Sequence, residues 1–245
     1  MQKYIIGNWK MSISRLDVSG FLAKFATLTK NTLVQFGIAS PFVFLDELSN
    51  ASTNIWVGAQ NVSEYSSGAY TGEISANMLN DFNCDLVIIG HSERRSYFHE
   101  TDEDVNLKVK KALEAGLTPI LCFGETLEER EGNMAFSVVE RQIIGALADL
   151  TSEDVERIIF AYEPVWAIGT GVSATSEQAE EMIAFAKRII AEQFEINSSI
   201  VLYGGSLKPS NAEDILSKPS IDGGLIGGAC LKLSDFEQLI NVKVE

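Results

Sequence analysis

Eight short apolar runs, each followed by a stretch with helical character, constrain the fold of this chain more than any other feature. A short apolar run between charged or turn-forming residues is typical of a buried strand. The runs are residues 4–9, 35–40, 55–60, 86–90, 118–122, 158–162, 200–203 and 224–226. The stretches between them predict helices at residues 16–29, 105–114, 137–150, 177–192, 212–216 and 235–240, with shorter ones at 43–48 and 76–82. This alternation predicts parallel strands joined by right-handed crossovers.

We therefore expect an α/β protein with a single (β/α)8 TIM barrel, in which residues 1–245 form one domain. A closed barrel of this kind commonly uses about 250 residues. No Gly-x-Gly-x-x-Gly motif follows the first strand, which counts against an open dinucleotide-binding sheet.

The formal net charge of −15 argues against nucleic acid and against an anionic membrane surface as partners. It also repels a phosphorylated substrate at long range, so such a substrate needs a local trap of backbone N–H groups and lysines. No apolar run reaches the roughly 18 residues that span a membrane, and the first residues lead into a strand instead of a secretory signal.

The three cysteines, Cys84, Cys122 and Cys230, lie far apart in apolar surroundings. This pattern indicates neither a disulfide framework nor a metal site, and it is typical of small core residues in a reducing compartment. We expect a cytoplasmic protein without a metal or an organic cofactor.

Function in such a barrel collects where the strands end. The sixth strand delivers Glu163 to this end, and Pro164 stops the strand because it has no N–H to donate. An uncharged, glycine-containing stretch follows before the next helix, as expected of a flap that shields a base from water. The alternative is a buried ion-pair glutamate that precedes an ordinary loop.

Other polar or glycine-rich positions also follow strands. They are Asn8 and Lys10 after the first strand, His91 after the fourth, Gly204, Gly205 and Ser206 after the seventh, and Gly227 and Gly228 after the eighth. Paired glycines allow backbone N–H groups to approach a phosphate closely, and a phosphate site after the seventh and eighth strands is common in this barrel. Tight-turn glycines and a solvated lysine are the alternatives.

Five motifs, in this order, resemble those of the triosephosphate isomerase family. They are Asn8-Trp9-Lys10, Gly90-His91-Ser92-Glu93-Arg94-Arg95, Glu163-Pro164-Val165-Trp166-Ala167-Ile168-Gly169-Thr170-Gly171, Tyr203-Gly204-Gly205-Ser206 and Gly227-Gly228-Ala229. The likeness extends from Tyr4 to Ile240. Chance agreement across five loops is very improbable.

The resemblance implies interconversion of dihydroxyacetone phosphate and D-glyceraldehyde 3-phosphate through an enediolate. It implies that Glu163 is the base, that His91 and Asn8 donate hydrogen bonds to the enediolate oxygens, and that Lys10 stabilises negative charge. Triosephosphate isomerases are themselves the established example of a neutral histidine at a helix N-terminus, so that state of His91 is implied by the resemblance. A helix N-terminus lowers the pKa of histidine, so we expect a lowered pKa for His91.

The resemblance also assigns roles outside the reacting centre. Gly169, Ser206, Gly227 and Gly228 hold the phosphate. Glu125 is expected to contact Trp166 in the flap, and a cap of the next helix is its alternative role. From its position alone, Glu93 either orients Lys10 or complements the dipole of the helix that begins after His91. The second histidine, His99, is expected at the surface.

The long segment from Asn61 to Glu73 resembles the arm that docks beside the active site of a second subunit. We expect a homodimer formed through this loop, with Thr71 near Lys10 of the partner subunit. Folding of the loop back over its own barrel is the alternative.

Three positions depart from the family pattern: Ser12 stands where asparagine is usual, the single Pro41 where a Pro-Pro pair is common, and Val172 where lysine is usual. None of them is a proposed catalytic group. Two other functions stay open: a different sugar-phosphate isomerase or epimerase, and a non-catalytic protein that binds a phosphorylated metabolite.

Overall fold

The architecture is a closed barrel of eight parallel strands in sequence order, surrounded by helices. It is given by a computed structural model that describes residues 2–25, 33–51, 55–168 and 173–242. Each strand pairs in parallel with the next along the chain, and the first strand closes the barrel by pairing with the eighth. The predicted fold class is therefore confirmed.

The strands lie within about one residue of the predicted runs. They are β1 Lys3–Asn8, β2 Val34–Ser40, β3 Trp56–Ala59, β4 Leu86–Ile89, β5 Thr118–Phe123, β6 Ile159–Tyr162, β7 Ile200–Tyr203 and β8 Gly223–Ile226. Short apolar runs define their own ends because the flanking charged and turn-forming residues are poor partners for a buried ladder.

Helices surround the barrel. Their bounds are α1 Arg15–Phe25, α2 Leu45–Ala51, α3 Ala76–Asp81, α4 Ser92–Tyr97, α5 Asp102–Glu114, α6 Leu127–Glu131, α7 Ala135–Ala146, α8 Ser152–Glu156, α9 Ser176–Phe194, α10 Ala212–Leu216 and α11 Leu233–Ile240. All eight predicted helices are present, although the part of the first that was predicted beyond Phe25 lies outside the described residues.

The predicted number of helices is wrong. The described residues contain eleven, because α4, whose start at His91 was expected, and α6 and α8, which were not, add to the eight; α7 also ends four residues before the predicted position at 150. The two unexpected helices each begin with a capping box, in which the threonine and the residue three positions later exchange hydrogen bonds. These boxes pair Thr126 with Glu129 and Thr151 with Asp154. The capping pattern was visible in the sequence, but five residues are too few to show a helical period.

Two apolar clusters account for the core. The smaller one contains the side chains that strands direct toward the barrel axis, and its buried members are Ile6, Ala39, Leu86, Ile88, Ile120, Cys122, Ile159, Ala161, Leu202 and Leu225. The larger cluster lies between the barrel and its helices. The interior is thus filled, and ligands have access only where the strands end. Within the described ranges, no helix combines the length and the apolar character needed to cross a bilayer.

The long helix α9 ends on a residue that favours glycine. Glu195 has φ 52° and ψ 35°, the left-handed conformation, at the C-cap position. A residue with a Cβ is strained there by about 1–2 kcal/mol, and a glycine would remove this strain. Part of the gain in stability is lost, because glycine also gives the unfolded chain more conformational freedom.

We therefore predict that Glu195→Gly raises the free energy of unfolding by about 0.5–1 kcal/mol. Urea denaturation followed by circular dichroism measures it. The matched control, Glu181→Gly, removes an exposed glutamate from the interior of α9 and should destabilise by about 1 kcal/mol. Equal destabilisation by both changes would contradict the assigned strain.

Candidate active site

One cavity of about 990 Å³ opens at the carboxyl ends of the strands. Its walls include seven of the eight predicted site residues, which are Asn8, Lys10, His91, Glu163, Ser206, Gly227 and Gly228. The eighth, Gly169, lies outside the described residues, as does Val172. Residues from five different strand ends therefore meet in one place, because parallel strands in a closed barrel all end on the same side.

Glu163 is the most deeply buried carboxylate of this cavity, with 2% of its surface exposed. Its Oε2 accepts a hydrogen bond of 2.8 Å from the backbone N–H of Ser92, and its Oε1 lies 2.9 Å from Nε2 of His91. A buried charge is tolerated when it is hydrogen-bonded in this way. Both oxygens are thus held against the start of α4.

The two partners shift each other's pKa. Burial alone would raise the pKa of Glu163, but His91, the Ser92 N–H and Lys10 together hold the pKa of this carboxyl below its usual range. Burial likewise lowers the pKa of His91, yet the Glu163 carboxylate more than offsets this and the pKa lies above the ordinary value. The lowered pKa predicted for His91 is therefore wrong while Glu163 contacts the ring, since the adjacent charge outweighs burial and the helix end.

The hydrogen bonds of His91 assign a role to each ring nitrogen. His91 is the N-cap residue of α4, as predicted, and its Nδ1 accepts a hydrogen bond of 3.2 Å from the backbone N–H of Glu93. A nitrogen that accepts a hydrogen bond carries no proton, so in the neutral ring the proton is on Nε2. This is the nitrogen that faces Glu163.

Lys10 reaches the cavity from a strained backbone. Its φ is 48°, in the left-handed region, which costs a residue with a Cβ about 1–3 kcal/mol. Asn8 Oδ1 accepts a hydrogen bond from its N–H at 2.9 Å, and Gln60 Nε2 donates one to its carbonyl at 3.1 Å. Nζ lies 2.5 Å from Oε1 of Glu93, so the contact needed for Glu93 to orient this lysine is present.

The glycines after β8 leave the backbone open to a ligand. A Cβ at Gly228 would meet no atom within 4 Å, and a Cβ at Gly227 would meet only Cε of Lys10, at 3.5 Å. Ser206 lines the same cavity. The ammonium-bearing chain of Lys10 thus passes over the backbone that was predicted to hold the phosphate.

The glycine pair after β7 has a further physical reason besides the predicted approach of backbone N–H groups to a ligand. A Cβ at Gly204 would lie 2.9 Å from Cγ of Glu163, and a Cβ at Gly205 would lie 2.3 Å from the hydroxyl of Tyr203. Both positions require glycine because these side chains occupy the space, whether or not a ligand is bound.

Glu125 contacts the start of the flap, as predicted. Its side chain is fully buried, and Oε1 accepts hydrogen bonds from Trp166 Nε1 at 2.7 Å, from the Tyr162 hydroxyl at 3.0 Å and from Arg130 at 2.9 Å. The Arg130 guanidinium also lies 4.9 Å from the centre of the Trp166 ring. This cluster fixes the point at which the flap leaves the barrel.

Two residues of the site, Ser92 and Gln60, are not predicted from sequence. Ser92 acts through its backbone N–H, which every residue has, so only its position after His91 at a helix start could have indicated it. Gln60 follows β3 and also donates to the carbonyl of Ala39 at 3.0 Å. A polar residue at the end of a barrel strand was the available signal.

The cysteines are buried free thiols, as predicted. Burial raises the pKa of Cys84 and of Cys230 to about 12, which leaves both thiols un-ionised. In the part of the chain that the structure describes, no three His, Cys, Asp or Glu side chains form a group that could hold a metal ion.

The loop from Asn61 to Glu73 is exposed over most of its length. Residues 65–73 are all exposed, as expected of a segment available for contact with a second subunit. The rings of Tyr65 and Tyr70 stack with centroids 3.8 Å apart and planes 5° apart. Lys108 Nζ donates to Asn61 Oδ1 at 3.0 Å and anchors the base of the loop.

Comparison with known proteins gives one family over nearly the whole chain. The triosephosphate isomerase family model matches residues 3–243. The chain is 46% identical over 247 residues to the triosephosphate isomerase of Alkaliphilus oremlandii, which covers 98% of this chain and 100% of that protein. It is 47% identical over 239 residues to that of Endomicrobium trichonymphae, with 96% of each chain covered. It is also 47% identical over 242 residues to that of Clostridium perfringens, with 97% of this chain and 98% of that protein covered.

The contact between Glu163 and His91 predicts a change in titration. A carboxylate stabilises the imidazolium, so Glu163→Gln should lower the pKa of His91, because burial then acts without the opposing charge. NMR titration of ¹⁵N-labelled histidine ring nitrogens measures it, and exposed His99 serves as the internal control. A pKa of His91 that stays constant or rises in Glu163→Gln would contradict the contact.

Proposed function

The chain belongs to the triosephosphate isomerase family and is an isomerase of triose phosphates, and we propose that Glu163 is the base of its reaction. The observation that carries this proposal is the buried Glu163 carboxylate, which lies 2.9 Å from His91 Nε2 in the cavity that Lys10 also enters. Family membership favours this activity over the two alternatives left open above, another sugar-phosphate enzyme and a non-catalytic binding protein.

In the proposed reaction, Glu163 removes a proton from the carbon beside the carbonyl of dihydroxyacetone phosphate. The electron pair of the broken C–H bond moves to form the enediolate, the hydroxyl proton passes to the former carbonyl oxygen, and Glu163 returns its proton to the neighbouring carbon. To reach the substrate, the carboxylate must leave the Ser92 N–H and His91 Nε2, which hold it against α4. Its lowered pKa keeps it ionised before substrate binds, and loss of these partners on release raises its pKa and hence its affinity for a proton.

When the Glu163 carboxylate moves away from the His91 ring, His91 becomes a neutral hydrogen-bond donor. Once the carboxylate is directed at the substrate carbon, burial and the charge of Lys10 favour the neutral ring. Because Nδ1 accepts from the Glu93 N–H, the remaining proton on Nε2 faces the cavity and can be donated to the enediolate oxygens. The neutral donor implied by the family is thus reconciled with the raised pKa before substrate binds.

Charge stabilisation supplies a large share of the rate. A positioned base contributes roughly 10²–10⁴-fold, which is too little for a proton as weakly acidic as one beside a carbonyl. Each donor to a developing oxyanion contributes about 2.7–4 kcal/mol. We assign these roles to His91 and Asn8, with the Lys10 ammonium stabilising the negative charge.

The phosphate is assigned to Gly169, Ser206, Gly227 and Gly228. The open backbone at the last two glycines and the nearby Lys10 chain support this assignment. In a chain with a net charge of −15, these groups provide local attraction for a dianion. The binding energy of the phosphate closes the flap, and closure suppresses phosphate elimination from the enediolate.

We predict that Glu163→Gln lowers kcat by at least about 10²-fold, because the amide keeps the shape but accepts no proton. A coupled assay with D-glyceraldehyde 3-phosphate measures turnover. Calorimetric binding of a phosphate-bearing inhibitor is the control and should persist, since the phosphate groups are intact. Near-normal turnover would show that Glu163 is not the base.

We also propose a homodimer formed through the loop from Asn61 to Glu73, with Thr71 close to Lys10 of the partner subunit. The exposed and internally braced loop supports this, as do exposed apolar side chains within the loop and at the end of α4. Among them are Tyr65, Tyr70, Tyr97 and Phe98, which are 41%, 43%, 74% and 65% exposed. Apolar groups exposed together indicate an interaction surface.

Thr71→Arg should weaken the dimer and lower activity together, because it brings bulk and charge into a packed interface beside the cavity. Sedimentation velocity and the isomerase assay over a range of protein concentrations measure both effects. Ser137→Arg, on the exposed face of α7, adds the same side chain and should change neither. An active monomeric wild type would contradict the proposed assembly.

A further inference from the structure

A buried amide outside the cavity is tied to the strand end beside the proposed base. Gln142 lies on α7 and is 7% exposed. Its Oε1 accepts a hydrogen bond from the Gly124 N–H at 2.8 Å, and its Nε2 donates one to the Gly124 carbonyl at 3.1 Å. One side chain thus satisfies both backbone groups of a single residue.

Gly124 lies between the two hydrogen bonds that join the ends of β5 and β6. The N–H of Glu163 donates to the Phe123 carbonyl at 2.8 Å, and the N–H of Val165 donates to the Glu125 carbonyl at 3.1 Å. The residues on either side of Gly124 therefore set where the backbone of Glu163 lies.

Gly124 also packs directly on Glu163. A Cβ at position 124 would lie 1.7 Å from the Glu163 carbonyl oxygen and 3.2 Å from its Cα. No side chain larger than hydrogen fits, so a shift of the Gly124 peptide moves the Glu163 backbone with it.

The Gln142 amide supplies hydrogen bonds to Gly124 at a position that β4 does not reach. Alternate residues of a strand direct their N–H and C=O groups to the same neighbour, and Thr118 donates to Asp85 on the β4 side. Gly124 lies six residues farther along, so its N–H and C=O also point away from β6 toward the β4 side. Because β4 ends at Ile89, it offers no backbone partner there. Without Gln142 these buried groups would lack partners.

We propose that Gln142 is a positioning residue for the isomerase reaction, which holds the end of β5 extended and thereby sets the reach of Glu163. This inference rests on the proposed role of Glu163 as the base. Gln142 does not line the cavity. It acts through Gly124 alone, and a displacement of about 1 Å at a reacting group can lower the rate by about 10²-fold.

The chain offers a matched control in Asn106 on α5. This amide is also 7% exposed, and its Nδ2 donates to the carbonyls of Ala146 and Ala148, both at 2.9 Å. Like Gln142 it makes two hydrogen bonds to the backbone, but it joins the end of α7 to α5, and neither of its hydrogen-bond partners lines the cavity.

The test compares Gln142→Met with Asn106→Leu, each of which removes two buried hydrogen bonds at nearly constant volume. Both should lower stability, but only Gln142→Met should lower kcat, by about 10- to 100-fold with KM changed less than about threefold. Displacement of Glu163 should also lower the pKa of His91 in this variant. Asn106→Leu should keep kcat within about twofold of wild type.

A second variant decides the matter if Gln142→Met does not fold. Gln142→Glu keeps the shape, and its protonated carboxyl both donates and accepts, whereas the ionised form cannot donate. Burial raises the pKa of such a carboxyl, so the ratio of its kcat to that of wild type should fall at least about tenfold between about pH 5 and 8. A constant ratio would overturn the inference.

The parallel Glu163→Gln variant separates the two proposals. If Glu163→Gln loses turnover while Gln142→Met keeps the wild-type kcat, the role of Gln142 is wrong and the base assignment stands. If Glu163→Gln keeps near-normal turnover, the base assignment is wrong and the role of Gln142 falls with it.

Discussion

The structure of the site depends on one buried negative charge, the carboxylate of Glu163. Removing a carboxylate from water is costly unless polar groups replace its hydration. Here the replacements are the Ser92 N–H, the His91 ring and the nearby Lys10 ammonium. Two of them, His91 and Lys10, are themselves needed for the proposed chemistry, so one arrangement compensates the charge and assembles the site. These partners also hold the base away from the substrate, which means that catalysis requires its release.

The backbone around Glu163 also serves two purposes at once. Gly124 and Gly204 contact it from the two neighbouring strand ends, and neither position has room for a Cβ. Glu125, one residue after Gly124, holds the tryptophan at the start of the flap. The position of the base and the departure point of the flap are therefore set by the same short segment of chain. This is why an amide on α7 can influence both through Gly124 alone.

The sequence predicted the barrel and most of the cavity, because both follow from local patterns. Short apolar runs mark strands, and residues that follow strands meet at one end of a closed barrel. The direction of the shift in the His91 pKa could not be predicted. It depends on the Glu163 carboxylate, which is 72 positions away in the sequence but 2.9 Å from the ring in the structure. The need for glycine at position 204 was missed for the same reason, because it comes from the Glu163 side chain. The roles of Gln60 and Gln142 depend on contacts between distant elements, and α6 and α8 were too short to show a period.

The central claim is that Glu163 transfers the proton between carbon and the enediolate. Deuterium incorporation tests it most directly, since a carboxyl that takes a proton from carbon can exchange it with solvent before returning it. In ²H₂O the wild-type protein should place deuterium on the carbon beside the carbonyl, detectable by ¹H NMR of substrate and product. Glu163→Gln should incorporate none above the uncatalysed rate. Incorporation by this variant at close to the wild-type rate would show that another group removes the proton, and the account of the site would be wrong.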